Sequence, residues 1–123
     1  TLQFAIENWW LTDNLAFLQQ RKTEFTIQAV ENSDVLSIDF KNQELLLETF
    51  PKMERYFRNV FEKAHGAAQM RVKYIFDYSK EEMYFTFRDQ YPEFIQRVPQ
   101  YLIASFLGLT PEYLSEIKSK RLS

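Results

Sequence analysis

The sequence predicts an α+β fold, and three observations support this prediction. Residues 24–30 and 35–40 are rich in apolar side chains with Thr, Gln and Ser between them, a pattern typical of β-strands. Residues 51–78 instead repeat apolar side chains at steps of three and four, as amphipathic helices do. Shorter helical stretches, interrupted by proline and glycine, follow to the end of the sequence. We therefore expect three consecutive parts, residues 1–50, 51–78 and 79–123.

The first part is predicted to contain strands followed by a short helix. The β character lies in "LQFAIENWW", "EFTIQAV" and "VLSIDF", and the turn residues Asn32, Ser33 and Asp34 between the last two indicate an antiparallel hairpin. A helical turn or loop is predicted for "NLAFLQQRK". The period then changes, and "NQELLLETF" predicts a short helix that ends before Pro51.

Residues 51–78 predict one long helix that begins at Pro51 and contains a single glycine, Gly66. At ~1.5 Å per residue this helix would be roughly 40 Å long. A small domain cannot bury an apolar stripe of that length alone, so we expect part of the stripe to contact a second subunit. The predicted dimer contacts are Phe57, Val60, Phe61, Ala64, Ala68 and Val72. The alternative is a core helix with an incidental glycine.

Before the last stretch, "SKEEMYF" predicts a helix with a capping box, because Ser79 is followed three residues later by Glu82. The stretch "IASFLGLTPEYLSEI" (103–117) then predicts two short helices joined at Gly108. The positions predicted to face inward are Ile103, Ala104, Leu107, Leu109, Leu114 and Ile117. The second helix is expected to start with Thr110 as its N-cap, Pro111 at its first position and Glu112 at its positive end. This spacing fits a DNA-binding helix-turn-helix, but tight corners in other proteins share it.

Composition restricts the function classes. The sequence has no cysteine and one histidine, His65, so it predicts no disulfide and no metal site. It also lacks a nucleophile–base pair and a glycine-rich phosphate loop, so we expect neither an enzyme nor a bound cofactor. No apolar run approaches the ~20 residues of a membrane helix, and no secretory leader is recognisable, so we expect a cytoplasmic protein without a membrane partner.

The charge distribution is uneven along the sequence. The formal net charge is −2, which argues against indiscriminate binding of nucleic acid. Residues 1–50 carry three basic and eight acidic side chains, residues 51–97 nine and seven, and residues 98–123 three and two. An acidic first part and mildly basic later parts suit a sensor joined to a binding module.

The sequence resembles a known family at both ends. The string "QRVPQYLIASFLGLTPEYLSEIKSK" is similar to the helix-turn-helix of Crp/Fnr-type transcription regulators, especially the Bacteroidetes branch. "FAIENWWLTDNLAFL" and "ENSDVLSIDF" resemble the second half of that branch's cyclic-nucleotide-binding-like β-roll, and residues 51–78 resemble its dimerisation helix. The resemblance implies a β-roll that senses a small molecule, a helix that pairs two subunits and a recognition helix in each major groove. Because the family has further strands earlier in the chain, we expect residues before Thr1 or a compensating pairing.

The β-roll region departs from the family pattern for cyclic AMP. Members that bind this nucleotide carry a Gly-Glu pair and an Arg-Ser or Arg-Thr pair, and the matching positions here are Thr12 with Asp13 and Thr23 with Glu24. Because Glu24 would repel a phosphate, the resemblance predicts an unknown effector other than a cyclic nucleotide. The candidate effector pocket consists of Trp9, Trp10, Thr12, Asp13, Thr23 and Glu24. Alternatively, one tryptophan belongs to the core and the other is partly exposed.

The recognition helix departs from the family as well. Many relatives carry arginines near its start and about one turn later, whereas the matching positions here are Pro111, Glu112 and Glu116. Glu112 can accept a hydrogen bond from a cytosine, but Glu116 loses a guanine contact and repels phosphate. Basic residues near the helix end, Arg121 among them, could bind phosphates or only complement the helix dipole. The predicted DNA-binding residues are Gln100, Thr110, Pro111, Glu112, Tyr113, Ser115, Glu116, Lys118 and Lys120.

The sequence thus predicts a homodimeric regulator that binds double-stranded DNA, with RNA polymerase as a further candidate partner. An effector would reposition the long helices and so decide whether the two recognition helices match half-sites about 34 Å apart. The rival hypothesis is a relative that binds an effector or a protein and has lost specific DNA binding. Glu116 and the acidic balance favour that rival.

Overall fold

The computed structural model describes residues 1–122, and the side chains of residues 1–120. Over this range the regular secondary structure consists of helices only, joined by irregular segments. The helices are α1 (Asn14–Gln19), α2 (Phe40–Thr49), α3 (Lys52–Asp77), α4 (Lys80–Gln90), α5 (Pro92–Arg97), α6 (Gln100–Leu107) and α7 (Pro111–Leu122). The chain divides into two compact units. The N-terminal unit is Ala5–Ala67, and the C-terminal unit combines Thr1–Phe4 with the residues from Ala68 onward.

The predicted α+β fold with a cyclic-nucleotide-binding-like β-roll is wrong, because no strand occurs in residues 1–122. The segments 24–30 and 35–40 are irregular, and Val35 and Leu36 leave 83% and 98% of their surface exposed. A β-segment makes no hydrogen bonds within itself, so apolar alternation becomes a strand only beside a partner. Neither segment has such a partner in the described part of the chain.

The N-terminal unit contains α1, α2 and the first part of α3 up to Ala67. Both short helices begin at an aspartate, since Asp13 accepts a hydrogen bond from the Ala16 N–H and Asp39 accepts one from the Asn42 N–H. Phe17 of α1 packs edge-on against Phe40 of α2, with ring centroids 5.6 Å apart. Few side chains in this unit are fully covered, so its apolar core is small.

Helix α3 confirms the predicted long helix over residues 51–78. Its 26 residues correspond to a length of about 39 Å. Among the predicted dimer contacts, Phe57 is buried within its own chain against Trp10 and Tyr56. The other five are exposed or half-buried: Val60, Phe61, Ala64, Ala68 and Val72. Ile75 and Phe76 are also exposed, so α3 retains an apolar surface that its own chain does not cover.

The C-terminal unit contains most of the buried apolar side chains. Helix α4 packs against α5 and α6, and α6 packs against α7. Helix α4 begins with the predicted capping box, in which Ser79 and Glu82 each bond the backbone of the other. The buried residues of this unit are Tyr84, Phe87, Phe94, Val98, Ile103, Ala104, Leu107, Leu109, Leu114 and Ile117. This core supports the corner between α6 and α7.

Candidate nucleic-acid interface

Helix α6 ends at a glycine whose backbone conformation closes the corner. Gly108 has a φ of 72° and a ψ of 28°, in the left-handed region that side chains with a Cβ avoid. The Gly108 N–H donates to the carbonyls of Ala104 and Ser105, and the Leu109 N–H donates to the Ala104 carbonyl at 2.8 Å. These bonds satisfy carbonyls that the end of the helix would leave unpaired. The glycine turn predicted from the sequence is therefore present.

Helix α7 starts as the sequence predicts. The Thr110 hydroxyl accepts a hydrogen bond from the Tyr113 N–H at 3.1 Å, and Pro111 occupies the first helical position. Glu112 lies in the first turn, where a carboxylate is stabilised by the positive end of the helix. Thr110 is thus occupied by capping, so its side chain orients α7 within the chain.

One face of α7 is anchored to the core. Leu114 and Ile117, three residues apart, are buried, and Leu114 and Ala104 have no exposed surface. The predicted inward positions of the corner are therefore confirmed. The side chains of α7 that remain exposed are Pro111, Glu112, Tyr113, Ser115, Glu116, Ser119 and Lys120. A helix held by one face with its opposite face in solvent can enter a DNA groove.

A polar network joins the first turn of α6 to α7. The Gln100 amide nitrogen donates to the Ser115 hydroxyl at 3.1 Å, and the Lys118 ammonium donates to the Gln100 amide oxygen at 3.0 Å. Three of the predicted DNA-binding residues are therefore brought together. Gln100, Lys118 and Tyr84 line a cavity of about 60 Å³, and burial raises the pKa of the Tyr84 hydroxyl. The network aligns polar groups of both helices of the corner.

Acidic side chains reduce the positive charge on the exposed face of α7. Lys120 lies 3.7 Å from the Glu116 carboxylate one turn earlier, a surface pair of small energetic value. Lys118 is half-buried and bonded to Gln100, and Glu112 is exposed. The side chain of Arg121 lies outside the described residues. The described part of α7 therefore presents a mixed surface, with two carboxylates beside two ammonium groups.

Tyr113 has a partner from another helix. The Lys80 ammonium at the start of α4 lies 6.0 Å from the centroid of the Tyr113 ring, at the outer limit of a cation–π contact. The ring is still partly exposed. Tyr113 can therefore stack or donate from its hydroxyl at the surface of α7, and Lys80 adds a basic group beside it.

One residue that contacts the last turn of α6 was not identified from the sequence. The Arg71 guanidinium donates to the Phe106 carbonyl at 2.6 Å and lies 3.9 Å above the Phe106 ring. Burial lowers the pKa of Arg71, although an arginine stays protonated in proteins. A signal existed, because Arg71 falls three residues after Ala68 and four before Ile75, in register with the apolar stripe of the long helix.

Most of the candidate effector residues are exposed, and Trp10, Asp13 and Thr23 form hydrogen bonds. Trp10 donates from its indole nitrogen to the Tyr56 hydroxyl at 2.9 Å, and Asp13 accepts a bond from the Thr23 hydroxyl at 2.7 Å. Trp9, Thr12, Thr23 and Glu24 are exposed. Asp13 and Thr23 therefore satisfy each other and stabilise the start of α1. This arrangement is that of a local structural contact.

No cluster of histidine, cysteine and carboxylate side chains suited to a metal ion occurs among the described residues. None of the described helices is both long enough and apolar enough to span a membrane. A scan against models of protein families, a search of curated proteins and a search of solved structures each found no match to this chain.

Proposed function

We propose that this protein is a DNA-binding transcription regulator that uses α7 as its recognition helix. The observation that supports the proposal is the corner of α6, Gly108 and α7, in which Leu114 and Ile117 anchor one face of α7 and leave the other in solvent. An exposed helix carried by a rigid corner is the arrangement with which helix-turn-helix proteins enter the major groove. The resemblance of residues 96–120 to Crp/Fnr regulators points the same way.

In this proposal each group on α7 has a role. Lys118 and Lys120 bind phosphates, and the Gln100 network fixes the direction of Lys118. Glu112 faces a base that offers an amino group, since a carboxylate accepts a hydrogen bond from cytosine N4, whereas Glu116 offers no contact to guanine and repels phosphate. Tyr113 and Ser115 contact a base edge or the sugar–phosphate backbone. The expected operator is therefore richer in cytosine on the contacted strand than those of relatives with arginines at these positions.

A dimer completes the proposal. The exposed apolar side chains of α3, among them Phe61, Val72 and Ile75, would be covered by α3 of a second copy. Two copies present two recognition helices, and a two-fold axis between them suits an inverted repeat with half-sites one helical turn apart. Pairing through α3 would also explain why a helix of 26 residues leaves so much apolar surface uncovered by its own chain.

The test is a selection of bound sequences from random duplex DNA with the whole protein, at low and at moderate salt. We expect an inverted repeat to be enriched and its affinity to fall steeply with salt, because each phosphate contact releases counterions. Lys118→Ala and Lys120→Ala should each reduce the slope of log affinity against log salt by about 1. Lys63→Ala on α3, which removes an equal charge from a different helix, is the matched control.

A second candidate function is favoured by the carboxylates on α7. Glu116 lies 3.7 Å from Lys120 and partly neutralises it, which suits a relative that has lost specific DNA binding and contacts a protein or an effector. This rival expects no enriched sequence and no salt-dependent binding to any duplex. A blank selection at both salt concentrations would therefore support the rival and contradict the DNA-binding proposal.

A further inference from the structure

The guanidinium of Arg71 connects two segments that are distant in sequence. One terminal nitrogen donates to the Phe106 carbonyl of α6 and the other donates to the Leu2 carbonyl, each at 2.6 Å. The planar group also lies 3.9 Å above the Phe106 ring. All of these residues belong to the C-terminal unit. A guanidinium is suited to this role because its donors point in fixed directions within one plane.

The bond to α6 is placed where that helix needs a donor. Phe106 is the second-last residue of α6, so its carbonyl has no partner within the helix. Backbone N–H groups of the glycine turn donate to the carbonyls of Ala104 and Ser105, and Arg71 donates to the carbonyl of Phe106. The positive charge also complements the negative end of the helix. Arg71 therefore fixes the last turn of α6, directly before Gly108.

The two terminal nitrogens of Arg71 are called its arms. The second arm binds a segment that has no regular structure of its own. Residues 1–4 form neither helix nor strand, and Phe4 inserts its ring among three aromatic rings of the unit. The centroid distances from Phe4 are 5.0 Å to Phe106, 5.5 Å to Phe94 and 6.5 Å to Phe87. The Phe106 ring thus contacts the segment, and the Phe106 carbonyl accepts the hydrogen bond from Arg71. Removal of the segment would free one arm of Arg71 and expose this aromatic cluster.

We propose that Arg71 is a positioning residue that couples the segment Leu2–Phe4 to the corner of α6 and α7. With the segment in place, both arms of Arg71 are occupied and α6 is held in one position on the C-terminal part of α3. With the segment displaced, α6 is held by one arm and its position varies. The segment would thereby regulate how the recognition helix is presented. This consequence rests on the proposed DNA-binding function, whereas the coupling itself does not.

The coupling is tested without DNA. Because the chain has no cysteine, spin labels can be attached to cysteines placed at two exposed positions, Lys73 on α3 and Tyr101 on α6. Labelled protein is diluted with unlabelled protein to suppress distances between copies. We expect one narrow distance distribution in the parent protein and a distribution at least about twice as wide with Arg71→Lys, which keeps the charge but loses the planar fork. Phe4→Ala should widen it as well.

Arg58→Lys is the matched control, because Arg58 lies on the same helix and is exposed, 3.9 Å from Glu62. It should leave the distance distribution unchanged. If Arg71→Lys and Phe4→Ala also leave it unchanged, the coupling is disproved, whatever the protein does with DNA. If only Arg71→Lys widens it, the arm to Leu2 does not regulate the corner, and the proposal is likewise overturned.

DNA binding then tests the consequence. On duplexes from the selection, with the spacer between half-sites varied one base pair at a time, the parent protein should prefer one spacer. Arg71→Lys should lower that preference by about tenfold, the equivalent of one charge-assisted hydrogen bond, while binding to a single half-site stays within about twofold. An equal loss on single half-sites would show that Arg71 only stabilises the corner. If the parent protein binds no duplex, the proposed function fails and the spin-label distances alone decide on the coupling.

Discussion

The Lys118 ammonium donates a hydrogen bond to the side-chain oxygen of Gln100 at 3.0 Å, from α7 to the first turn of α6. The two residues are 18 positions apart, and both were predicted from the sequence to contact DNA. Their bond means that Lys118 is oriented before any ligand arrives. A preoriented ammonium loses less side-chain entropy on binding a phosphate than a free lysine does.

This bond should contribute measurably to stability. In a double-mutant cycle with Gln100→Ala and Lys118→Ala, we expect a coupling free energy of about 1 kcal/mol, as for a partly buried hydrogen bond to a charged group. Urea unfolding of the four proteins measures it. Gln96→Ala, an exposed glutamine on α5, serves as the control and should not couple with Lys118→Ala. A coupling energy near zero would mean that the bond does not form in solution.

Glycine is required at one position and dispensable at the other. Gly108→Ala should lower the free energy of unfolding by about 1 kcal/mol, because its φ of 72° is disfavoured once a Cβ is present. The added Cβ meets no atom within 4 Å at Gly108 or at Gly66, so neither change creates a clash within the chain. Gly66→Ala lies within α3 and should raise the unfolding free energy by about 0.8 kcal/mol. Denaturant unfolding compares the two, and equal signs would contradict this account.

Reversing the charge of Glu116 should strengthen DNA binding. Glu116→Arg removes a carboxylate from the exposed face of α7 and adds a group that can bind guanine or phosphate. We expect affinity to rise at least about fivefold and the salt dependence to steepen by about one phosphate contact. Gel shifts over a salt series measure both. Glu62→Arg on α3 makes the same change of charge on a different helix and should have little effect. A similar gain in both proteins, or no gain with Glu116→Arg, would contradict the prediction.

If two copies pair through α3 as proposed, a charge on the exposed apolar stripe of α3 should separate them. Phe61→Glu or Val72→Glu removes apolar burial worth about 2 kcal/mol from each copy, about 4 kcal/mol per dimer, so the dissociation constant should rise about a thousandfold. Sedimentation velocity over a range of concentrations follows the change, and circular dichroism checks that the helices persist. Gln69→Glu adds the same charge at an exposed polar position and is the control. A parent protein that sediments as a monomer at all concentrations would disprove the pairing.

The start of α1 should respond to acid. Hydrogen bonds from the Thr23 hydroxyl and the Ala16 N–H hold the pKa of the Asp13 carboxyl below its ordinary value of 3.8. The pKa of Asp13 is lower in the folded protein than in the unfolded protein. The ionised carboxylate therefore stabilises the fold fully above about pH 3.8, and this stabilisation is lost as the pH falls through the folded pKa. Asp13→Asn keeps an N-cap but cannot titrate, so its unfolding below pH 4 should be less steep.

Tryptophan fluorescence during an acid titration measures this effect, since Trp9 and Trp10 lie just before α1. Thr23→Val removes the largest cause of the lowered pKa and should shift the transition of the parent protein to higher pH. Asp34→Asn, outside the helices, is the control. An acid transition that is the same in Asp13→Asn and in the parent protein would refute this role of Asp13.

Helices were predictable because their determinants are local. The bonds of a helix join residues four positions apart, so the apolar steps of α3, the capping box at Ser79 and the break at Gly108 all indicate structure within a short window. The buried positions of the corner followed from the same spacing, and they lie in the core. Whether its exposed residues bind DNA remains a prediction.

Whether the β-like segments form strands was not predictable in this way. A β-pattern in residues 24–40 specifies a strand only if another segment supplies hydrogen bonds, and that depends on the rest of the fold. The same holds for the effector candidates, since residues from two segments form a pocket only if the chain folds them around a space. Instead, Asp13 and Thr23 bond to each other and Trp10 packs on α3.

The sequence by itself determined the positions of the long helix and of the corner, because both depend on contacts between near neighbours. Only the tertiary structure decided what holds the corner in place. Arg71 contacts carbonyls 69 and 35 positions away, and Gln100 meets Lys118 across two helices. Such contacts depend on how the backbone returns upon itself, and a carbonyl carries no residue-specific signal. For that reason helix α7 could be located from its spacing, while the groups that orient it could not.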